Sequence, residues 1–361
     1  MIAFLIVLLI VAAAAELFSL RRKLSSIRLD IGTSVPYSEP DEEFELITAV
    51  ENLSRIPAAY IRIRENLPDG VKFSPESASG GFRRRFSPGA PSLPPCITTS
   101  LFVPSRGKTT LRAVISLPRR GRYYLGETTV FTGDFLGFKE TEKKLRLNRE
   151  FIVIPSRVED AAVTNALGGF IGDISVKRFI IEDPMLTAGF REYTGREPMK
   201  NIAWRQSARS GVLMVKNFDY TAEPSVRVVL SSECPAGEAS AAVEYCFSLA
   251  RTVCEALEKQ GIQYSFVTNS TMAGVSGVFS SVAPGGGPIH LETILTGLGR
   301  ATYAQTESLF NLLGREALGA SLSSAYIVIA PSLSAEHLAL VRRIESGRGA
   351  KCLILTAKEG A

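Results

Sequence analysis

The sequence predicts three successive parts: a membrane-spanning helix, an all-β sandwich of immunoglobulin-like build, and an α/β domain. Three observations predict them. Residues 1–15 are apolar without a break. Residues 27–155 carry short runs that alternate polar and apolar, the two-residue period of a half-buried strand. After Pro224, short apolar runs alternate with stretches of helical period, the pattern of an open, mostly parallel sheet with helices on both faces. The expected divisions are an anchor over 1–20, a β-sandwich over 27–155, a connector and signature segment over 156–222, and the α/β domain over 223–361.

The anchor rests on length and charge. The apolar stretch resumes after Glu16 with Leu17, Phe18 and Leu20, which brings it near the ~20 residues a bilayer requires. Arg21, Arg22 and Lys23 follow, and nothing basic precedes the run. The positive-inside tendency then places the remaining chain in the cytoplasm, as a single-pass protein of the cell membrane. A signal peptide cut near the alanines at 12–15 is the competing reading, and it puts the same domains outside.

In the sandwich region, residues 45–52 and 59–64 alternate as strands. Pro68-Asp69-Gly70 marks a turn, residues 109–117 form a strand, and Arg119-Arg120-Gly121-Arg122 turns into Tyr123-Tyr124-Leu125. Residues 151–154 form a short strand closed by Pro155. The stretch 74–95 is rich in Ser, Gly and Pro and holds Phe82-Arg83-Arg84-Arg85-Phe86. Arginines flanked by aromatics suit anionic lipid or RNA; a solvated loop between strands is the preferred expectation.

Residues 161–172 read as a small-residue connector and 176–181 as a strand stopped by Glu182-Asp183-Pro184. Beyond Pro224, strands are expected at 226–230, 264–267, 325–330 and 352–355. Helices are expected at 239–259, ending before Gly261, at 291–298, and at 335–344 with Ser334 as N-cap.

Composition narrows the chemistry. The 361 residues are 45% hydrophobic and 21% charged, enough for two domains with real cores. The net charge of +5 is mild and its Lys and Arg are scattered, so no nucleic-acid partner is expected. Cysteines stand at 96, 234, 246, 254 and 352, with no Cys-x-x-Cys pair; reduced structural thiols are the reading. With only His290 and His337, a zinc site or a His-based triad has little to work with.

The densest segment runs Arg191-Glu192-Tyr193-Thr194-Gly195-Arg196-Glu197-Pro198-Met199-Lys200-Asn201-Ile202-Ala203-Trp204-Arg205-Gln206-Ser207-Ala208-Arg209. Its pattern R-E-Y…K-x-I-x-W-x-x-S-A-R-x-G-x-L-x-V resembles the domain-of-unknown-function 58 family of bacteria and archaea. Upstream, the stretch Arg119 to Gly126 with Thr132 to Phe138 is similar to the family's R-G-x-Y-x-L-G…D-P-F-G-L, with Phe135 in place of Pro, and Phe151 to Pro155 is similar to its V-Y-P strand end. The family's Gly-Asp pair falls on Arg196 and Glu197, and its Arg on Lys200. Lys keeps the charge without the planar fork of Arg.

The resemblance implies membrane helices, a β-sandwich, the signature and a von Willebrand factor type A-like, Rossmann-like domain. It also implies a MoxR-type AAA+ ATPase as partner. Mg²⁺-binding type A domains use D-x-S-x-S, a Thr and a later Asp; Mg²⁺ wants such hard oxygens. The corresponding positions here are Ser231 with Glu233 nearby, Pro288, and the segment Ile329-Ala330-Pro331-Ser332. No metal and no cofactor are therefore expected. Gly285-Gly286-Gly287-Pro288 lacks phosphate-loop spacing and reads as a turn.

Within the signature, Arg191, Glu192, Tyr193, Lys200, Trp204, Ser207 and Arg209 are the candidate residues, serving a domain junction or a partner surface. In the junction reading, Trp204 and Tyr193 pack while Arg191 and Arg209 pair with carboxylates such as Glu192 or Asp183. No nucleophile stands with an oriented base, so no enzyme is expected. The expectation is a membrane-anchored interaction scaffold or adaptor working with that ATPase in protein remodelling or maturation. The alternative is an extracytoplasmic module for cell-envelope ligands. An enzyme would need Ser207 or Cys234 as nucleophile.

Overall fold

The structure, a computed structural model, describes residues 4, 7, 10, 26–74, 83–89, 93–133, 140–178, 187–195, 197–218, 225–234, 239–274, 281–318, 325–348 and 350–357. The chain divides into two units, Met1–Ser156 and Arg157–Ala361.

The first unit is built of strands β1 (Ile27–Thr33), β2 (Tyr37–Ser38), β3 (Glu43–Asn52), β4 (Ala58–Asn66), β5 (Lys72–Ser74), β6 (Arg83–Ser87), β7 (Cys96–Val103), β8 (Lys108–Ser116), β9 (Gly121–Gly133) and β10 (Glu140–Val153). They form two sheets, ordered β1-β3-β8-β5 and β2-β10-β9-β4-β7-β6. Among the described strand pairs of this unit, only the short β2–β10 pair is parallel. Alternation decides which side chains meet between the sheets. On β3, Phe44, Leu46, Thr48 and Val50 are buried; on β4, Ile61, Ile63 and Glu65 are. Phe44 stacks on Phe151 with centroids 4.1 Å apart. The Thr48 hydroxyl donates to the Glu65 carboxylate in this core, so the buried charge keeps a partner.

The expected loop over 74–95 is corrected at Arg83–Ser87. This run is strand β6, paired with β7 from Arg83↔Ser100 to Ser87↔Cys96. Three adjacent arginines give no apolar period to read; backbone pairing holds the strand together with Phe86, which packs against the core and stacks on Phe73 at 5.3 Å.

The second unit opens with helix α1 (Ala161–Arg178), where a connector was expected. Asp160 starts it, its carboxylate accepting the Ala162 N–H at 2.8 Å. Val163, Leu167, Phe170, Ile171 and Ile174 form its buried face. The strand expected over 176–181 is also corrected: Val176 is helical, and 179–181 lie outside the described residues.

A hairpin of β11 (Thr187–Glu192) and β12 (Met214–Phe218) encloses a 3-10 turn (Met199–Asn201) and helix α2 (Trp204–Ser210). The remaining elements are β13 (Ser225–Leu230), α3 (Ala239–Lys259), β14 (Gln263–Thr268), β15 (Ser270–Met272), β16 (Ser281–Gly285), α4 (Pro288–Arg300), β17 (Ala301–Gln305), α5 (Leu309–Leu318), β18 (Ala325–Ala330), α6 (Ala335–Arg348) and β19 (Lys351–Thr356). Their main sheet is ordered β16-β14-β13-β18-β19. Four of its strands are parallel, and β16 joins the edge antiparallel to β14. Every residue of β18 is buried. Helices α5 and α6 pack Leu309, Leu312, Leu313, Val341 and Ile344 against Val229, Tyr326 and Val328.

The expected fold class is corrected. Among the described residues no helix is long and apolar enough to cross a membrane. Of the expected anchor over 1–20, only Phe4, Val7 and Ile10 are described, as helical residues, and the rest lies outside the described residues. The uninterrupted apolar run of 15 residues falls short of the ~20 that spanning requires. The chain is mostly β: nineteen strands are described, and four of the six α-helices with assigned bounds have 14 residues or fewer.

Candidate functional site

The signature folds as one small module. Its backbone is tied across the hairpin: Tyr193 N–H donates to Leu213 O and Ala203 N–H to Met214 O, both at 2.8 Å. Ile202, Ala203 and Val215 are its buried centre. Ser207 holds helix α2 to strand β12: its hydroxyl donates to Ala203 O at 3.0 Å and accepts the Met214 N–H at 2.8 Å. Gly211 ends the helix at φ 72° and returns its N–H to Ser207 O, a left-handed cap that glycine adopts without a Cβ penalty.

Arg191 pairs with Glu197 at 2.6 Å, a carboxylate other than the Glu192 named in the junction reading. Glu192 is its strand neighbour and points to the other face, whereas Gly195 at φ 88° turns the chain back and brings Glu197 into reach. Asp183, the other expected partner, lies outside the described residues. Glu197 also accepts the Thr194 hydroxyl at 2.8 Å and the Thr194 N–H at 3.2 Å. Its carboxyl is held at about 2, below the ordinary 4.5. The Thr194 hydroxyl is the largest cause; partial burial opposes it, and the Arg191 guanidinium adds to the lowering.

Trp204 is 60% exposed and Met199 67%. Phe190, Val212 and Leu213 are exposed on the same module. Tyr193 is half-buried, while Glu192, Lys200 and Arg209 are exposed.

The metal-type positions are not brought together. Ser231 and Glu233 follow β13, at the C-terminal end of the parallel strands. The Ser231 hydroxyl accepts the Asn269 side-chain amide at 3.2 Å and the Glu233 N–H at 3.0 Å. The Glu233 carboxylate accepts the Leu309 N–H at 2.5 Å, at the start of α5. Pro288 begins α4 beyond Gly285, which pairs with Tyr264 in the row of Val226. Strand rise separates that row from Ser231 by about 16 Å along the sheet. Ser231 and Glu233 thus serve the fold, and Pro288 stands at the opposite sheet end. Among the described residues no group of three or more His, Cys, Asp or Glu could hold a metal ion.

Asn269 was missed by the sequence reading. It is buried after β14, where its side chain accepts the Ser232 N–H at 2.9 Å and its carbonyl accepts the Thr306 N–H at 2.8 Å. The polar run Thr268-Asn269-Ser270 after an apolar strand was the available signal. Burial pushes the thiols of Cys246 and Cys352 up to about 12 and that of Cys254 further, which keeps them protonated and poor nucleophiles.

No family model matches the sequence, and no curated protein matches it. Solved structures similar to it are remote. An archaeal non-cellulosomal cohesin from Archaeoglobus fulgidus is 11% identical over 35% of this chain and 91% of its own, at TM-score 0.25. A protein of immunoglobulin-like fold from Nocardia farcinica is 13% identical over 31% and 81%, at TM-score 0.23. A family 20 exo-β-N-acetylglucosaminidase from Vibrio harveyi is 11% identical over 37% of this chain; the match spans only 19% of that enzyme, at TM-score 0.26. At these TM-scores the likenesses carry no argument about fold or activity.

Proposed function

We propose that this chain is a non-enzymatic protein-interaction scaffold whose docking element is the module over residues 187–218. The observation that carries the reading is the exposure of Trp204 with Phe190, Met199, Val212 and Leu213 on one small, internally braced unit. Exposed aromatic and apolar residues beside arginines are the composition of binding hot spots. Bracing by Ser207 and by the Arg191–Glu197 pair lowers the ordering cost of association. The resemblance of the signature names the partner class: a MoxR-type AAA+ ATPase. Several groups that could serve an enzyme are otherwise engaged, Ser207 among them. Ser207 stitches the module, Glu233 caps a helix, and three thiols are held protonated.

The test is in-cell photo-crosslinking from Met199 and Val212, read by mass spectrometry. Capture of an AAA+ ATPase, lost on Trp204→Ala in a protein that still folds, is expected. Capture of envelope components alone would replace this reading with the extracytoplasmic one.

A further inference from the structure

A second surface lies in the first unit, on the outer face of its six-stranded sheet. Strand alternation turns Ile61 and Ile63 into the core and leaves Tyr60, Arg62 and Arg64 facing out. Register then builds two parallel rows. Thr98 lies between Arg64 of β4 and Arg85 of β6, and Ser100 lies between Arg62 and the Arg83 position. Arg62, Arg64, Arg85, Thr98 and Ser100, together with Tyr60 and Phe131, line a groove of about 780 Å³.

The guanidinium groups differ in what they hold. Arg62 pairs with Glu140 at 2.7 Å and lies 4.7 Å over the Phe131 ring. Arg64 Nε is buried and has no hydrogen-bond acceptor among the described residues. No carboxylate pairs with Arg64 or Arg85 among the described residues. A buried donor without an acceptor is unfavourable, and an incoming acceptor relieves it.

The groove's own chemistry indicates which acceptor fits. Glu140 shows a carboxylate seated on one of its arginines, and the planar guanidinium fork matches carboxylate geometry. A nucleobase would need open aromatic faces; Arg62 covers one face of Phe131, which leaves Tyr60 as the groove's open aromatic against several guanidinium groups. The volume exceeds that of a single anion and lies in the range of extended ligands. Thr98 and Ser100 supply hydroxyls between the charges, and Leu93 and Tyr60 supply apolar wall.

We propose that this groove binds an acidic, extended peptide segment of a partner protein, with its carboxylates on Arg64 and Arg85 as Glu140 sits on Arg62. This site stands independently of the signature module.

The test uses the full chain and a fluorescein-labelled octapeptide of alternating Glu and Ser, followed by anisotropy. The matched Gln–Ser octapeptide, a 12-nucleotide oligouridylate and phosphatidylserine vesicles serve as competitors. Saturable binding that weakens with salt is expected. Arg64→Gln and Arg85→Glu should each weaken it by about tenfold or more, the scale for removing one partner of a close charge pair. Glu140→Gln, which frees Arg62, should strengthen it. Arg85 is exposed, so its variant carries the test if Arg64→Gln does not fold. Equal binding of the Gln–Ser peptide, or unchanged affinity in a folded Arg85→Glu protein, would overturn the proposal. Tighter, Arg85-dependent binding of the oligouridylate or the vesicles would overturn it in favour of that ligand.

Discussion

Ser207 and Met214 are joined by a hydrogen bond of 2.8 Å from the Met214 backbone to the Ser207 hydroxyl, and this bond fastens the signature's helix to its second strand. The serine that an enzyme would need as its nucleophile is here a backbone acceptor. Ser207→Ala leaves the half-buried Met214 N–H without its partner, at a cost of about 1–2 kcal/mol. Amide exchange at Met214 should accelerate roughly tenfold. Unchanged exchange at that amide would remove Ser207 from the bracing.

The Glu197 turn should respond to acid. Its folded-state carboxyl sits at about 2 against an ordinary 4.5. The stabilisation is therefore present above about pH 4.5 and is lost as pH falls towards 2. Amide protection at Thr194, whose N–H donates to Glu197, should decline across that window. Glu197→Gln should flatten the profile; an unaltered acid response in that variant would assign the effect elsewhere.

Arg227 and Glu316 form a two-pronged ion pair between β13 and α5, at 2.8 and 2.7 Å. Their side chains are 17% and 5% exposed. Removing either partner alone, as in Arg227→Met or Glu316→Leu, strands a largely buried charge and should cost about 3–5 kcal/mol. The double variant should recover much of that loss. A double variant no more stable than the worse single one, measured by urea denaturation, would contradict this account.

Glu233 caps α5 through the Leu309 N–H. Glu233→Ala should lower stability by about 1 kcal/mol, by the same amount with Mg²⁺ or with a chelator. A loss seen only with Mg²⁺ present would restore a metal role to this position.

How much of this the sequence disclosed depends on what each residue run had to satisfy. Helix α3 and strand β18 were expected at the bounds the structure has, Ala239–Lys259 and Ala325–Ala330, because the one needs an apolar stripe and the other full burial. Helix α1 was hidden by Gly168, Gly169 and Gly172, each of which costs a helix roughly 1 kcal/mol; burial of Leu167, Phe170 and Ile171 wins there. Strand β6 has no apolar period to read. Pro288 was aligned with a metal loop because order along the chain does not say which end of a sheet a loop occupies. The antiparallel β16 carries the chain back to the start of β14. The Arg191–Glu197 pair depends on one left-handed glycine, which pairwise reading of charges does not see.

β6 also ends its sheet, paired on one side with β7. A terminal strand is a template on which a foreign strand can grow, and stacked copies of such strands aggregate. Arg83, Arg84 and Arg85 are consecutive, so the strand carries three like charges in a row. A second copy lying alongside would bring like charges together. The residues proposed to welcome an acidic segment therefore also repel their own kind, and the sheet's margin stays selective in what it lets assemble.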